Sequence, residues 1–497
     1  MGRKTIFFRC CLLFSIFFTI IILLPLKTEA SSGPYKVYDL ELNEGKKSVK
    51  FVEKARKNKF SDALKEMKKY TNGVVTYEKS PSPLKIVAAS RSQAQSYPYR
   101  KGKDPAGVTL NIYNNKGLTS AHTYIPAHYM MYVHDFLESN GRIIAQVEIQ
   151  GGRGYVEVNK VDIIPMIYIE NGIEIEIGGN EDYYSKKESP YKVVPKQEEY
   201  IVNYNSKYKV NELTVNVYRP SPDVSSFSLT YAIGPDKLKP GTYYSADGIN
   251  FYKDQDLKKE AYKGFYAYFQ WLPLRSMTNH EPKAFDRLLE DYGKRNSVMM
   301  GQTKHFIDQG LKYGMNPVFI FQQANLESAY GTSKYARERN NLFGWGAVDS
   351  DPDQAYTYDN IGEGIGIHMS SQISGYMNVN DWRHFGPAFG NKSAGITVKY
   401  ASDPYYGIKV ASMYYRMDKL NGFKDYNAYN LSLLADGKSY SVKKNKSTSS
   451  EWYKTRSGLK NQLIINLGEE NNRIKTPLWM PNYDGVSYPG SFPLNLF

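Results

Sequence analysis

Apolar and polar residues follow one rhythm in the first half of this chain and another in the second. Val108, Leu110 and Ile112 alternate with polar neighbours, Ile143 to Ile149 reads as a strand, Gly151-Gly152 as a turn, and Tyr155 to Val158 as the strand that follows. The same alternation runs through Tyr168 to Glu170, Ile173 to Ile177 and Leu213 to Tyr218, and Asp247-Gly248 has the turn chemistry of a hairpin. From Met277 the spacing becomes helical: Phe285 to Tyr292 and Gln302 to Tyr313 predict helices, and Asp403-Pro404 opens another running towards Lys419. Ahead of the strands, the lysine-rich stretch Phe51 to Tyr70 predicts a helix stopped by Asn72-Gly73, and Lys79 to Lys103 has the proline and serine content of a linker.

The helix predicted after Asn316 stands out. Asn316 is a good N-cap, Pro317 suits the first helical position, and Gly331 suits a stop. Ile320, Ala324 and Glu327 fall on one face, which is otherwise apolar, so Glu327 is directed towards the protein or a cleft. Partial burial and the negative end of the helix dipole both disfavour an ionised carboxylate there. A carboxylic acid that keeps its proton near neutral pH is what protonation of a leaving oxygen requires.

Composition narrows the setting. Residues 1–30 carry a basic start (Arg3, Lys4, Arg9), an apolar run from Cys10 to Leu26, and small residues around Thr28-Glu29-Ala30. This predicts an export signal cleaved after Ala30, with retention as an N-terminal membrane anchor as the alternative. Both cysteines lie in this segment, so the remainder of the chain has no thiol and relies on apolar cores rather than disulfides. The net charge is +14 over 497 residues, and the excess of three cations in residues 1–30 leaves +11 for the rest. Such a charge draws a protein to anionic polymers, and an export signal selects anionic wall polymers over nucleic acid.

Several chemistries find no support. The seven histidines form no His-Glu-x-x-His motif, so a zinc site is not predicted. Gly362, Gly364 and Gly366 lack the spacing of a nucleotide loop. No Gly-x-Ser-x-Gly elbow occurs, and Asp349, Asp351 and Asp353 lack the terminal Glu of a calcium loop. No cofactor is predicted.

The run Gln323 to Ala347, QANLESAYGTSKYARERNNLFGWGA, resembles the glucosaminidase domain of bacterial cell-wall hydrolases, glycoside hydrolase family 73. Tyr400 to Tyr406, YASDPYY, resembles that family's Tyr-Ala-Thr-Asp-Pro-x-Tyr motif, and Tyr358 to Ile365 lies where the family carries a carboxylate-containing run. The resemblance spans residues 276–425. A weaker one, over Leu110 to Pro165, is to SH3-like wall-associated modules. Together these imply a multidomain protein. Residues 1–30 are a signal or anchor, 31–104 a lysine-rich helical segment and linker, 105–168 an SH3-like β module and 169–275 a second β-rich module. A lysozyme-like, mainly α catalytic domain follows at 276–430, and a basic extension at 431–497.

The resemblance also implies a reaction and its residues. The substrate is the glycan strand of peptidoglycan, cut at the β-1,4 bond on the reducing side of N-acetylglucosamine, with Glu327 as general acid. Glu363 corresponds to a second carboxylate of the family, or it caps the helix beginning near Ile365; both readings stand at this point. As the base of an inverting reaction it lies roughly 6.5–9.5 Å from the acid, with a water between. Otherwise the substrate's acetamido group acts as nucleophile, and Tyr400 orients it. Asn341 and Phe343 shape the groove beside Glu327, and Tyr358, Tyr405 and Tyr406 contact the sugar. A lytic transglycosylase on the same fold, or a wall-binding scaffold with an accessory catalytic domain, is the alternative. Asn340-Asn341-Leu342-Phe343-Gly344 favours the hydrolase, and an intact Glu327 disfavours the scaffold.

Overall fold

The computed structural model describes residues 33–45, 47–78, 85–97, 108–177, 191–220, 225–346, 354–443, 451, 453–470 and 473–477. The segment expected to direct export, the aspartates at 349, 351 and 353, and the end of the chain beyond 477 lie outside them. Among the described residues no helix is long and apolar enough to cross a membrane.

The first sheet has the order β2-β1-β3-β4, from β1 (Tyr35–Leu42), β2 (Val49–Lys57), β3 (Gly73–Tyr77) and β4 (Ile86–Ala89). Helix α1 (Phe60–Met67) lies on it through Phe60, Ala63, Leu64 and Met67, the spacing of one helical face. The helix expected over residues 51–70 is therefore only its second half. Val49–Lys57 is instead an edge strand, and its lysines, read as helix formers, guard an open sheet edge. The linker expected over residues 79–103 is also corrected. Ile86–Ala89 is wholly buried, and β5 (Ser92–Ser96) enters the second sheet. Its glutamines hid it from sequence reasoning. Gln95 is fully buried because its amide donates to Tyr191 Oη at 3.1 Å and to the Pro220 carbonyl at 3.1 Å.

The second sheet continues with β6 (Thr109–Tyr113), β7 (Ala121–Pro126), β8 (Met130–Ser139), β9 (Arg142–Ile149), β10 (Gly152–Glu157) and β11 (Val161–Pro165), in the order β11-β5-β8-β9-β10-β6-β7. Tyr168 to Glu170, expected as strand, belongs to the short helix α2 (Met166–Glu170), whose residues Met166 to Ile169 are all buried. A burial pattern without a solvent face removes the alternation that a strand reading needs. After β12 (Ile175–Ile177) and β13 (Tyr191–Val193) comes a sheet of β14 (Glu199–Asn205), β15 (Val210–Val217), β16 (Phe227–Ile233) and β17 (Gly241–Tyr243), ordered β16-β15-β14-β17. Gly248 takes φ +70° in the expected Asp247-Gly248 turn, across which Tyr244 pairs with Tyr252.

The remainder is mainly helical, as expected: α3 (Tyr268–Trp271), α4 (Pro282–Asp291), α5 (Lys304–Tyr313), α6 (Pro317–Glu327), α7 (Lys334–Arg339), α8 (Ile361–Ile367), a π-helical stretch (His368–Ile373), α9 (Ser374–Met377), α10 (Thr397–Tyr400) and α11 (Tyr406–Leu420). Its core is built from Phe285, Phe306, Phe319, Phe321, Phe389 and Tyr414, all inaccessible. The β modules do not form a separate body. Tyr405 and Ile408, at the start of α11, belong to the same apolar cluster as Tyr200, Val202, Val215 and Tyr231 of the sheets. The C-terminal extension packs back on the helices: Leu463 joins Trp271 and Ala394 in a small core, and the Tyr266 hydroxyl donates to Asn461 at 2.9 Å.

Candidate active site

Helix α6 starts as its sequence predicts. The Asn316 side chain accepts the Val318 N–H at 3.0 Å, and Pro317 occupies the first turn. The helix ends at Glu327 in a tight left-handed turn, with Ala329, Tyr330 and Gly331 at φ +50°, +62° and +72°. Ser328 holds this turn by accepting the Gly331 N–H at 2.7 Å. A Cβ on Gly331 would sit 2.4 Å from Ser297 Oγ, so this position needs glycine for space as well as for backbone conformation. The turn throws the chain away from the last helical residue and leaves the Glu327 side chain exposed.

Glu327 is accessible to solvent yet crowded by protein on its inner side. That crowding pushes its carboxyl above the ordinary carboxylate range, while hydrogen bonds from Tyr406 and Tyr400 pull it back. The Tyr406 hydroxyl donates to Glu327 Oε1 at 2.9 Å, and the Tyr400 hydroxyl approaches the same oxygen at 3.5 Å. Both tyrosines stay protonated, because burial first of all, and then the neighbouring carboxylate and phenols, raise them. Oε1 of Glu327 is thus the oxygen that both tyrosine hydroxyls reach.

A line of hydrogen bonds runs inward from this point. Gln323, one turn before Glu327 on α6, donates to Tyr406 Oη at 3.5 Å. His368 Nε2 lies 3.3 Å from Gln323 Oε1, and Trp345 Nε1 donates to His368 Nδ1 at 3.2 Å. An indole N–H is a donor only, so Nδ1 accepts and Nε2 carries the imidazole proton. Burial drives the His368 pKa down to about 3, which keeps the ring neutral and this direction fixed. Phe343 lies face to face on the His368 ring, centroids 3.7 Å apart. Every donor from Trp345 to Tyr406 therefore points towards Glu327.

The other residues singled out from the sequence divide. Tyr400 and Tyr406 come together at Glu327, whereas Phe343 stacks on His368; Phe343 and Tyr406 are buried, so Tyr406 contacts Glu327 rather than forming a sugar-facing surface. Asn341 is 1% exposed and builds the loop: its amide donates to the carbonyls of Trp345 and Tyr356, and its oxygen accepts the Trp345 N–H. Tyr358 is a buried support whose ring would lie 2.9 Å from a Cβ at Gly364. Tyr405 is corrected: it is 1% exposed, stacks on Tyr129, which lies just before β8, and donates to Glu198. Consecutive tyrosines at a helix start point to different sides, and of this pair Tyr406 faces Glu327. Glu363 sits in a capping box. Asn360 accepts the Glu363 N–H at 3.0 Å, and Glu363 Oε2 accepts the Asp359 N–H at 2.8 Å.

Gln323, Trp345 and His368 were not foreseen. The signal available was polar residues, Gln322, Gln323 and Asn325, in a helix whose every other position up to Ala324 is apolar; all three are inaccessible. Elsewhere, His280 meets Asp418 at 2.8 Å and Asp425 at 3.7 Å. The two carboxylates also accept the hydroxyls of Thr278 and Tyr414 and the N–H groups of Asn279, Asp425 and Tyr426. This cluster is a clasp between the start of the helical domain and the end of α11.

Part of this chain is similar to known proteins. The family model for glucosaminidase, described as mannosyl-glycoprotein endo-beta-N-acetylglucosaminidase, matches residues 303–419. Two Streptococcus pneumoniae proteins named "Putative endo-beta-N-acetylglucosaminidase", from serotype 4 and from strain R6, are each 32% identical over 184 residues. The aligned part is 37% of this chain and 26% or 24% of those proteins, so the chain spans about a quarter of the length of the curated relatives it matches. Among solved structures, a catalytic mutant of S. aureus Autolysin E in complex with the disaccharide NAG-NAM is 16% identical. That match covers 35% of this chain and 85% of the other, with a TM-score of 0.25. A Major Bifunctional Autolysin structure is 22% identical, covering 30% of this chain and 68% of the other, with a TM-score of 0.22. The matched segment opens just before α5 and closes within α11, so the part of the chain that matches the glucosaminidase family model contains Glu327, its two tyrosines and the line of donors behind them.

Proposed function

We propose that this protein is an exported peptidoglycan hydrolase that cleaves the β-1,4 bond on the reducing side of N-acetylglucosamine, with Glu327 as general acid. The observation that carries the reading is the carboxyl of Glu327, raised above its ordinary range and gripped on one oxygen by Tyr406. The carboxyl proton passes to the glycosidic oxygen as the bond to the anomeric carbon breaks, and the leaving sugar departs as a neutral alcohol. Tyr406 and Tyr400 then stabilise the carboxylate that results.

The second group is best supplied by the substrate. Glu363 is engaged at the start of α8, where its carboxylate satisfies a backbone N–H. The hydroxyl of Tyr400, by contrast, already stands beside the acid. The acetamido oxygen of N-acetylglucosamine attacks the anomeric carbon, Tyr400 orients it, and water later opens the ring so formed with retention of configuration. Peptidoglycan strands are the partner, and the net positive charge of the chain suits a wall rich in anionic polymers.

Purified peptidoglycan digested to completion tests this directly by product mass. Water addition leaves a free reducing N-acetylglucosamine that borohydride reduces. Anhydro-muramic ends, lighter by one water and inert to borohydride, would replace the hydrolase by a transglycosylase.

A further inference from the structure

A pocket of about 520 Å³ opens where three parts of the chain meet. The second sheet supplies His122 and Arg153, the helical domain Trp382 and Lys399, and the C-terminal extension Arg456 and Lys460. Among the described residues that line it there are these four cations and no carboxylate. Two of the cations, half-buried Lys399 and exposed Arg456, are held by backbone oxygens. The Lys399 ammonium donates to the Ala121 carbonyl at 3.1 Å, and the Arg456 guanidinium donates to the His384 carbonyl at 3.2 Å. Both also lie against the Phe385 ring, at 5.5 Å each. These contacts orient the charges without cancelling them.

Two neighbours register the resulting field. Lys399 is lowered by burial and further by the charge of Arg456. His122 is lowered by burial, and the charges of Lys399, Lys392 and Lys460 add to the effect. Holding like charges together costs free energy in the empty pocket, and an incoming anion removes that cost. Beside the cations lies Trp382, 67% exposed, with the Lys399 ammonium 5.6 Å from its ring. An exposed indole is a platform for the apolar face of a sugar or a peptide.

We propose that this pocket is a binding site for an oxyanion, carboxylate or phosphate, carried on a sugar or peptide body, with Lys399 and Arg456 as its paired cations and Trp382 as its platform. Lys399 immediately precedes Tyr400, whose hydroxyl reaches Glu327. A bound anion therefore fixes the position of the attached chain relative to the acid. That last step rests on the function proposed above; the binding does not. The two sources of such an anion are the stem peptides of peptidoglycan and phosphate-bearing wall polymers.

The test is equilibrium binding to the full chain carrying Glu327→Gln, so that no probe is cut. Three probes are used: uncharged chitotetraose, a disaccharide muropeptide with its peptide carboxylates, and poly(glycerol phosphate). Adding Lys399→Gln and Arg456→Gln should weaken at least one anionic probe about tenfold or more, while chitotetraose binds as before. Lys399→Arg with Arg456→Lys should restore most of the loss. Loss confined to the muropeptide assigns the site to stem peptides, and loss confined to the polymer assigns it to phosphate. Unchanged binding of both anionic probes overturns the proposal, as does equal loss for chitotetraose. Because binding is read without turnover, its failure leaves the assignment of Glu327 untouched.

Discussion

The Tyr406 hydroxyl is the atom through which the line of buried donors reaches Glu327. It donates to Oε1 at 2.9 Å, and behind it Gln323, His368 and Trp345 supply donors in one direction. Its hydrogen bond favours the ionised carboxylate, so it lowers a pKa that burial has raised. The sign of its removal follows. A general acid works while it holds its proton, so activity falls as pH rises through its pKa. In Tyr406→Phe the lowering contact is gone, and the basic limb of kcat/KM moves to higher pH. The looser carboxyl also costs turnover, on the order of tenfold to a hundredfold. A pH–rate profile of the purified variant reads both; an unmoved basic limb would remove Tyr406 from the acid's environment. The helix end that carries Glu327 and the short motif that carries Tyr400 and Tyr406 were visible in the sequence, but the contact of Tyr406 with Glu327 was not. Nor was His368, because its role exists only through contact with Phe343 and Trp345, far from it in sequence.

At the scale of elements, the local signals that worked were those with a backbone mechanism. Asn316-Pro317 starts α6 where the sequence places it, and Gly331 closes the turn after it. Those that failed were cases in which tertiary contacts override composition. Lysines in β2 belong to an edge strand, and Ser92–Ser96 is a buried strand in which the Gln95 amide finds partners. Tyr405 faces the sheets because the start of α11 lies between two cores. Glu363 shows the same dependence on context. Its capping box with Asn360 fixes the first turn of α8, and loss of such a cap costs about 0.5–2 kcal/mol. Glu363→Gln is therefore expected to lower Tm slightly and leave turnover essentially unchanged. A loss of turnover on the order of a hundredfold at nearly normal Tm would instead make Glu363 the base.

Across the whole molecule, the β modules and the catalytic domain are joined by buried polar contacts as well as apolar ones. Glu198 accepts from Gln150 at 3.0 Å and from Tyr405 at the start of α11. Burial pushes its carboxyl up from 4.5 to about 7, against the pull of hydrogen bonds from Tyr200, Tyr405 and Gln150. The folded chain thus holds a proton that the unfolded chain gives up at lower pH. The stability this confers is whole below the unfolded value and is lost as pH rises through about 7. Scanning calorimetry between about pH 5 and 8 should show Tm falling with pH more steeply in wild type than in Glu198→Gln; parallel curves would mean that Glu198 does not hold its proton in the joint. A single comparison tests the proposed role of Glu327 most directly. Glu327→Gln keeps the shape of the side chain and removes its acidic proton. Measured on purified peptidoglycan beside wild type, at matched Tm, the variant is expected to lose on the order of a hundredfold or more in the rate of reducing-end release. Turnover equal to wild type at equal Tm would contradict the assignment of Glu327 as the acid.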